Sequence, residues 1–213
     1  MHRSAGRLVP LAILCICLSC LGPAAHAGPA SDLIAKLNAA FIGVMQNAKT
    51  LGYDGRYKTL EPTLSDAYDF PEMTRVSTGR HWRELTDPQK QQLVAAFKDY
   101  SLATYAARFD GFGGEHFEIL DEEQAPGGNL RVNNQIVVTS GPPIRIDYLL
   151  RQTAGQWRII DVYLKSSVSE LAVRRSEFTS VLGKQGVKGL IATLNDKTAA
   201  MEKSGDTAAA TSN

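Results

Sequence analysis

Hydrophobic positions between Ser31 and Ala48 recur at steps of three and four residues: Leu33, Leu37, Phe41, Val44 and Ala48. That spacing predicts one amphipathic helix with Asp32 near its start. From Gly52 to Arg80 the pattern is interrupted by Gly55, Pro62, Pro71 and Gly79, which predicts several short helices. Thr86-Asp87-Pro88-Gln89 reads as a helix start. Thr86 or Asp87 can cap, Pro88 suits the first turn, and Gln89 can close a capping box. This helix should run to about Phe109 and stop at Gly111-Phe112-Gly113-Gly114, with Leu93, Phe97, Tyr100 and Thr104 inward, widened by Val94 and Tyr105.

The period then changes to alternation. Candidate strands cover His116–Glu123, Leu130–Ser140, Ile144–Gln152 and Gln156–Lys165, separated by Gly- and Pro-rich turns. Such short connections predict an antiparallel meander. Leu130, Val132, Asn134, Ile136 and Val138 form one face of the second strand, and Ile144, Ile146, Tyr148 and Leu150 one face of the third. The fourth is apolar on both faces, Trp157, Ile159 and Tyr163 against Ile160, Val162 and Leu164. Two helices follow: Val168, Leu171, Arg175, Phe178 and Leu182, ended by Gly183 or Gly186, then Val187, Leu190, Ile191 and Leu194. Residues 203–213 are polar and small and read as a disordered tail. Helices, four strands, then helices make an α+β layout. Two arrangements account for the two-sided fourth strand. The sheet curves around an internal pocket, or a helix covers its second face; the residues alone favour the covering helix.

The start of the chain changes the working length. Arg3 and Arg7 precede an apolar run from Leu8 to Leu21 and a small-residue site, Ala25-His26-Ala27. Residues 1–27 therefore read as a cleaved signal peptide, too short an apolar run for a retained span. A lipid-modified Cys20 is disfavoured, because Cys17-Leu18-Ser19 lacks an aliphatic residue three places upstream. All three cysteines lie in this leader, so the mature chain has no disulfide, cysteine zinc site or thiol chemistry. Without Arg3 and Arg7, the 23 basic residues fall to 21 against 22 acidic ones, which leaves no basic footprint for nucleic acid.

Candidate chemistry is sparse. His81 and His116 stand far apart with no metal-ligand spacing, and no Gly-x-Ser-x-Gly elbow is present. Asp121-Glu122-Glu123 reads as a solvated acidic loop. Arg175 sits on an apolar stripe and needs a partner: an acid such as Asp69 or Asp161, or a lipid headgroup, with the acid favoured. Arg75 reads as internally paired.

Several stretches resemble the MlaC/toluene-tolerance family of periplasmic lipid carriers. They are Tyr57-x-x-Leu60-x-Pro62-x-Leu64-x-x-x-Tyr68-Asp69-Phe70-Pro71-x-Met73-Thr74-Arg75, Leu85-Thr86-x-x-Gln89 with Ala96-Phe97-x-x-Tyr100, Gly155-x-Trp157-x-Ile159-x-Asp161-Val162, Arg175-Ser176-x-Phe178 and Gly186-x-x-x-Leu190. Their order spans 31–203, and within the family the chain looks most similar to the hopanoid-associated HpnM branch. Many members carry glycine where Ser167 stands, which places strain in that turn.

The resemblance implies an NTF2-like fold: a curved four-stranded antiparallel sheet packed with N- and C-terminal helices around an apolar cavity, within a lipid-binding domain of residues 28–202. That shifts the reading from the covering helix to the pocket. It also implies a carrier that shuttles hopanoids or phospholipids between the inner and outer membranes, with no covalent chemistry and no cofactor. Its partners would be an inner-membrane lipid transporter, an outer-membrane acceptor and, transiently, the membrane; the carrier itself would be a monomer. At about 0.8 kcal/mol per CH₂, exposing lipid chains to water costs tens of kcal/mol, so a carrier needs broad apolar walls and few polar groups at its mouth. Phe97, Tyr100, Tyr105, Ile146, Tyr148, Val162, Leu164, Phe178, Leu182, Leu190 and Leu194 are the expected lipid contacts. Two readings compete. An enzyme on the same scaffold would place Asp147 or Asp161 in a cavity. A protein-binding envelope adaptor would have a filled core.

Overall fold

The computed structural model describes the backbone of residues 28–211 and the side chains of residues 28–205. The expected signal peptide lies outside the described residues.

Helix α1 spans Pro29–Gln46. Its buried face carries Ile34, Leu37, Phe41 and Val44, and Leu33 of the expected stripe is only half-buried. Helix α2, Ala48–Ala67, runs through Gly55 and Pro62, which the sequence reading takes as breaks. The break falls instead at Gly52 (φ 61°, ψ −173°), a backbone region that favours glycine. Helix α3 is Phe70–Thr78, capped by the Asp69 carboxylate, and a 3₁₀ segment, Gly79–Glu84, follows. Helix α4 spans Asp87–Arg108 and begins with the expected reciprocal cap: Gln89 N–H donates to Thr86 Oγ1, and Thr86 N–H donates to Gln89 Oε1. Thr86→Ala is expected to lower stability by about 1 kcal/mol, read as a shift of the urea midpoint at unchanged slope.

The sheet is antiparallel and runs in chain order, β1 (His116–Ala125), β2 (Asn129–Val137), β3 (Ile144–Thr153), β4 (Gln156–Leu164) and β5 (Val168–Ser169). The expected four strands are present. The two-residue fifth, paired with Tyr163 and Leu164, is too short for alternation to reveal. In the β4–β5 turn the left-handed conformations fall on Lys165 (φ 51°) and Ser166 (φ 61°), not on Ser167.

Two register shifts matter. Ile119 pairs with Asn134 and Asp121 with Asn133, so Leu120 is surplus. Beyond it Glu122 pairs with Val132 and turns toward α1, where its carboxylate accepts from Ser31 N–H (3.2 Å) and Ser31 Oγ (2.7 Å). The acidic run lies in the first strand, as the alternation predicts, with Asp121 and Glu123 exposed, but Glu122 holds the first turn of a helix. In β4, Ile159 pairs with Leu150 and Asp161 with Leu149, so Ile160 is surplus. Strict alternation therefore fails there. Ile159, Val162 and Leu164 share one face, opposite Leu150, Tyr148 and Ile146.

Helix α5 spans Glu170–Thr211, with non-helical angles at Gly186 (φ 66°, ψ −172°) that divide it into the two expected helices. It continues past Lys203, where the sequence reading begins a tail. At Gly205 the bare backbone packs so closely on Tyr53 that a Cβ there would lie 2.7 Å from the ring. Among the described residues no helix is long and apolar enough to cross a membrane.

Candidate functional site

The inward face of the curved sheet does not close on the helices. Between β2–β4, α3, α4 and the start of α5 lies a cavity of about 380 Å³, walled mainly by apolar side chains. Such a volume lies within the range of small-ligand pockets. The sheet contributes Ile136, Ile146, Tyr148, Val162 and Leu164, and α4 contributes Phe97, Tyr100 and Tyr105. Each strand residue reaches the wall because it stands on the inner face of its ladder. The α4 residues do so because they recur at helical spacing on one side.

Of the four phenols on this wall, three gather together. Tyr68 is set by the short bridge between its backbone and Ile159, with Asp69 N–H donating to the Ile159 carbonyl at 2.9 Å. Its hydroxyl meets that of Tyr105 at 2.5 Å. Tyr148, 1% exposed, stands beside them on β3. Burial pushes Tyr68 and Tyr148 well above the ordinary phenol range, reinforced by their phenolic neighbours. Burial also raises Tyr105, against a smaller opposing effect of its bond to Tyr68. All three remain protonated at neutral pH and are hydrogen-bond donors. Two other lining hydroxyls are internally used, Ser101 donating to the Phe97 carbonyl and Thr104 to that of Tyr100.

The mouth is charged. Arg108, Glu115, Glu170 and Arg174 line its edge. Arg174 pairs with Glu170 (3.5 Å) and Glu177 (3.1 Å) and lies over the Tyr100 ring at 4.9 Å. Arg108 is exposed and makes no ion pair among the described residues. Ile144, 47% exposed, is the apolar edge of the same opening.

Of the expected contacts, Phe97, Tyr100, Tyr105, Ile146, Tyr148, Val162 and Leu164 stand on the cavity wall. Phe178, Leu182, Leu190 and Leu194 do not; they are buried in the core where α5 packs on α3 and α4. Phe178 meets Phe97 edge-to-face at 5.5 Å, behind the wall. The sequence reading missed Tyr68, Met73, Arg108 and Arg174 as wall or rim. Tyr68 was legible only as part of a motif, because a residue between two helices has no period.

Arg175 corrects another expectation. It is exposed and pairs with neither Asp69 nor Asp161. Asp69 accepts from Glu72 N–H and Thr153 Oγ1, and Asp161 from Val162 N–H, Leu171 N–H and Ser169 Oγ. Arg175 lies instead in a shallow cleft with Arg80 and His81, close against Gly79. Arg75 is bidentate to Glu72 at 2.7 Å, as expected. Asp147 lies on the outer face between Arg131 (2.9 Å) and Arg145 (3.0 Å). Neither Asp147 nor Asp161 lines the cavity, so the enzyme reading loses its candidate acids. The cavity itself contradicts the filled core that a pure adaptor requires.

A curved antiparallel sheet, a helical cover and an oily hollow with a charged edge define a hollow α+β binding shell. The MlaC protein family matches residues 35–196, and the chain belongs to that family. A solved structure with the same fold is the phospholipid-binding protein from Ralstonia solanacearum in complex with a phospholipid. Its TM-score is 0.71 at 19% sequence identity, covering 81% of this chain and 98% of that one.

Proposed function

We propose that this protein is a periplasmic lipid-binding carrier that moves phospholipids or hopanoids between the inner and outer membranes without chemical change. The observation that carries the reading is the apolar cavity with charge only at its mouth. Hydrocarbon held there keeps its surface out of water, while a polar headgroup stays at the arginine-bearing edge. Membership of the MlaC family and the phospholipid held by the Ralstonia solanacearum protein support it. Export follows from cleavage after Ala27. Loading and unloading then require an inner-membrane transporter and an outer-membrane acceptor, with transient membrane contact, and the working form is a monomer. The resemblance to the HpnM branch is what keeps hopanoids in the proposal.

Mature protein purified from the native envelope should carry about one equivalent of lipid, seen by extraction and mass spectrometry, and should begin at Gly28. Protein that is consistently empty and cannot move labelled lipid between vesicles would overturn the reading.

A further inference from the structure

The wall phenols present more donors than the protein has acceptors for. Tyr68, Tyr105 and Tyr148 carry three O–H groups, and the Tyr68–Tyr105 contact uses one. The other two have no acceptor among the described residues and open onto the apolar hollow, where an occupant would shut them off from water. Buried donors are normally paired, and leaving one unmade costs the desolvation of the group. An all-hydrocarbon occupant would leave both unmade; an occupant with acceptor oxygens at this depth would satisfy them.

The depth identifies which oxygens. Tyr105 precedes Arg108 by three residues on α4, about 4.5 Å along the helix axis. Arg108 at the rim suits a phosphate, and Tyr105 lies about one turn from it along α4 on the same wall. Glycerol separates a headgroup phosphate from its acyl esters by only a few bonds, and below the esters the chains are purely hydrocarbon. The rest of the wall includes the apolar Ile136, Val162 and Met73, which suit hydrocarbon chains.

We propose that Tyr68, Tyr105 and Tyr148 form a subsite for the ester carbonyl oxygens of a diacyl glycerolipid whose phosphate lies at Arg108. This rests on the carrier reading and narrows its cargo: the cavity distinguishes ester-linked lipids from those whose buried part carries no carbonyl oxygen.

The test compares two synthetic phosphatidylglycerols with identical sixteen-carbon chains, one a diester and one a dialkyl ether. Delipidated mature protein is titrated with each, by displacement of a fluorescent lipid. The diester is expected to bind about tenfold tighter or more, from two otherwise unmade donors. In Tyr105→Phe/Tyr148→Phe the preference should fall toward unity while ether binding is kept. Equal binding of both lipids by the wild type overturns the ester subsite and leaves the carrier reading standing. Failure to bind either overturns the carrier reading itself, and the subsite with it. An unchanged preference in the double variant overturns the assignment to these residues.

Discussion

Ile146→Trp is expected to strip the protein of lipid while leaving it folded. Ile146 stands on the inner face of β3 opposite Leu164, half-buried, with its side chain on the cavity wall. Overpacking a filled core forces side chains off rotamer at a cost of about 1–3 kcal/mol. Here the indole has a hollow to enter, so the strain is small and the loss falls on the 380 Å³ available to cargo. Lipid affinity should fall by about tenfold or more, a factor of ten in the dissociation constant being about 1.4 kcal/mol of lost binding, and the lipid-to-protein ratio after extraction should fall with it. The melting temperature should change little. A variant that keeps its full lipid complement would show that cargo does not occupy this hollow.

Asp147→Asn is expected to be the most destabilising single change on the outer face of the sheet. The Asp147 side chain is fully buried, between Arg131 and Arg145. It also replaces a backbone partner: Asn134 N–H donates to its carboxylate at 3.1 Å. Burial opposes its ionisation, but the hydrogen bonds from Arg131, Asn134 N–H and Arg145 outweigh burial and hold the carboxyl below the usual aspartate range. Removing one partner of a buried pair costs about 3–5 kcal/mol. Both arginines are partly exposed, so water compensates some of that and the lower figure applies. For a domain of this size the melting temperature should drop by roughly 6–12 °C.

The same group sets an acid limb. Because its folded-state pKa is depressed, its contribution is fully present above the ordinary aspartate range and is lost as pH falls through the lowered value. The wild-type urea midpoint should therefore decline in acid more steeply than that of Asp147→Asn. Parallel curves would assign the acid sensitivity to other carboxylates.

Periodicity carried most of the architecture. The capping box at Thr86 and Gln89, the three turns between strands and the break at Gly186 are local chemistry, and local chemistry is readable along a chain. Alternation likewise placed Ile146 and Tyr148 together. What it could not place was anything set by a count of residues between partners. The surplus Ile160 joins Ile159 and Val162 on one face, although their spacing is odd. Leu120 similarly sends Glu122 to a helix instead of to water. Phe178 and Leu190 fit an apolar stripe equally well as wall or as core, because a helical period tells which side is buried and not against what. The covering-helix arrangement, favoured by the residues alone, gave way for the same reason: burial on both sides of β4 looks alike whether the neighbour is a helix or a hollow.

The two surplus residues have a consequence for how this container varies. A bulge bends and twists its strand more strongly, and the hollow exists where the bent sheet stands away from α4. Capacity thus depends on the backbone count of the bulged strands as well as on the bulk of the lining groups. Relatives should exchange one oily lining residue for another of similar bulk while keeping both extra positions. A chain that loses one of them should carry a flatter sheet and a smaller hold.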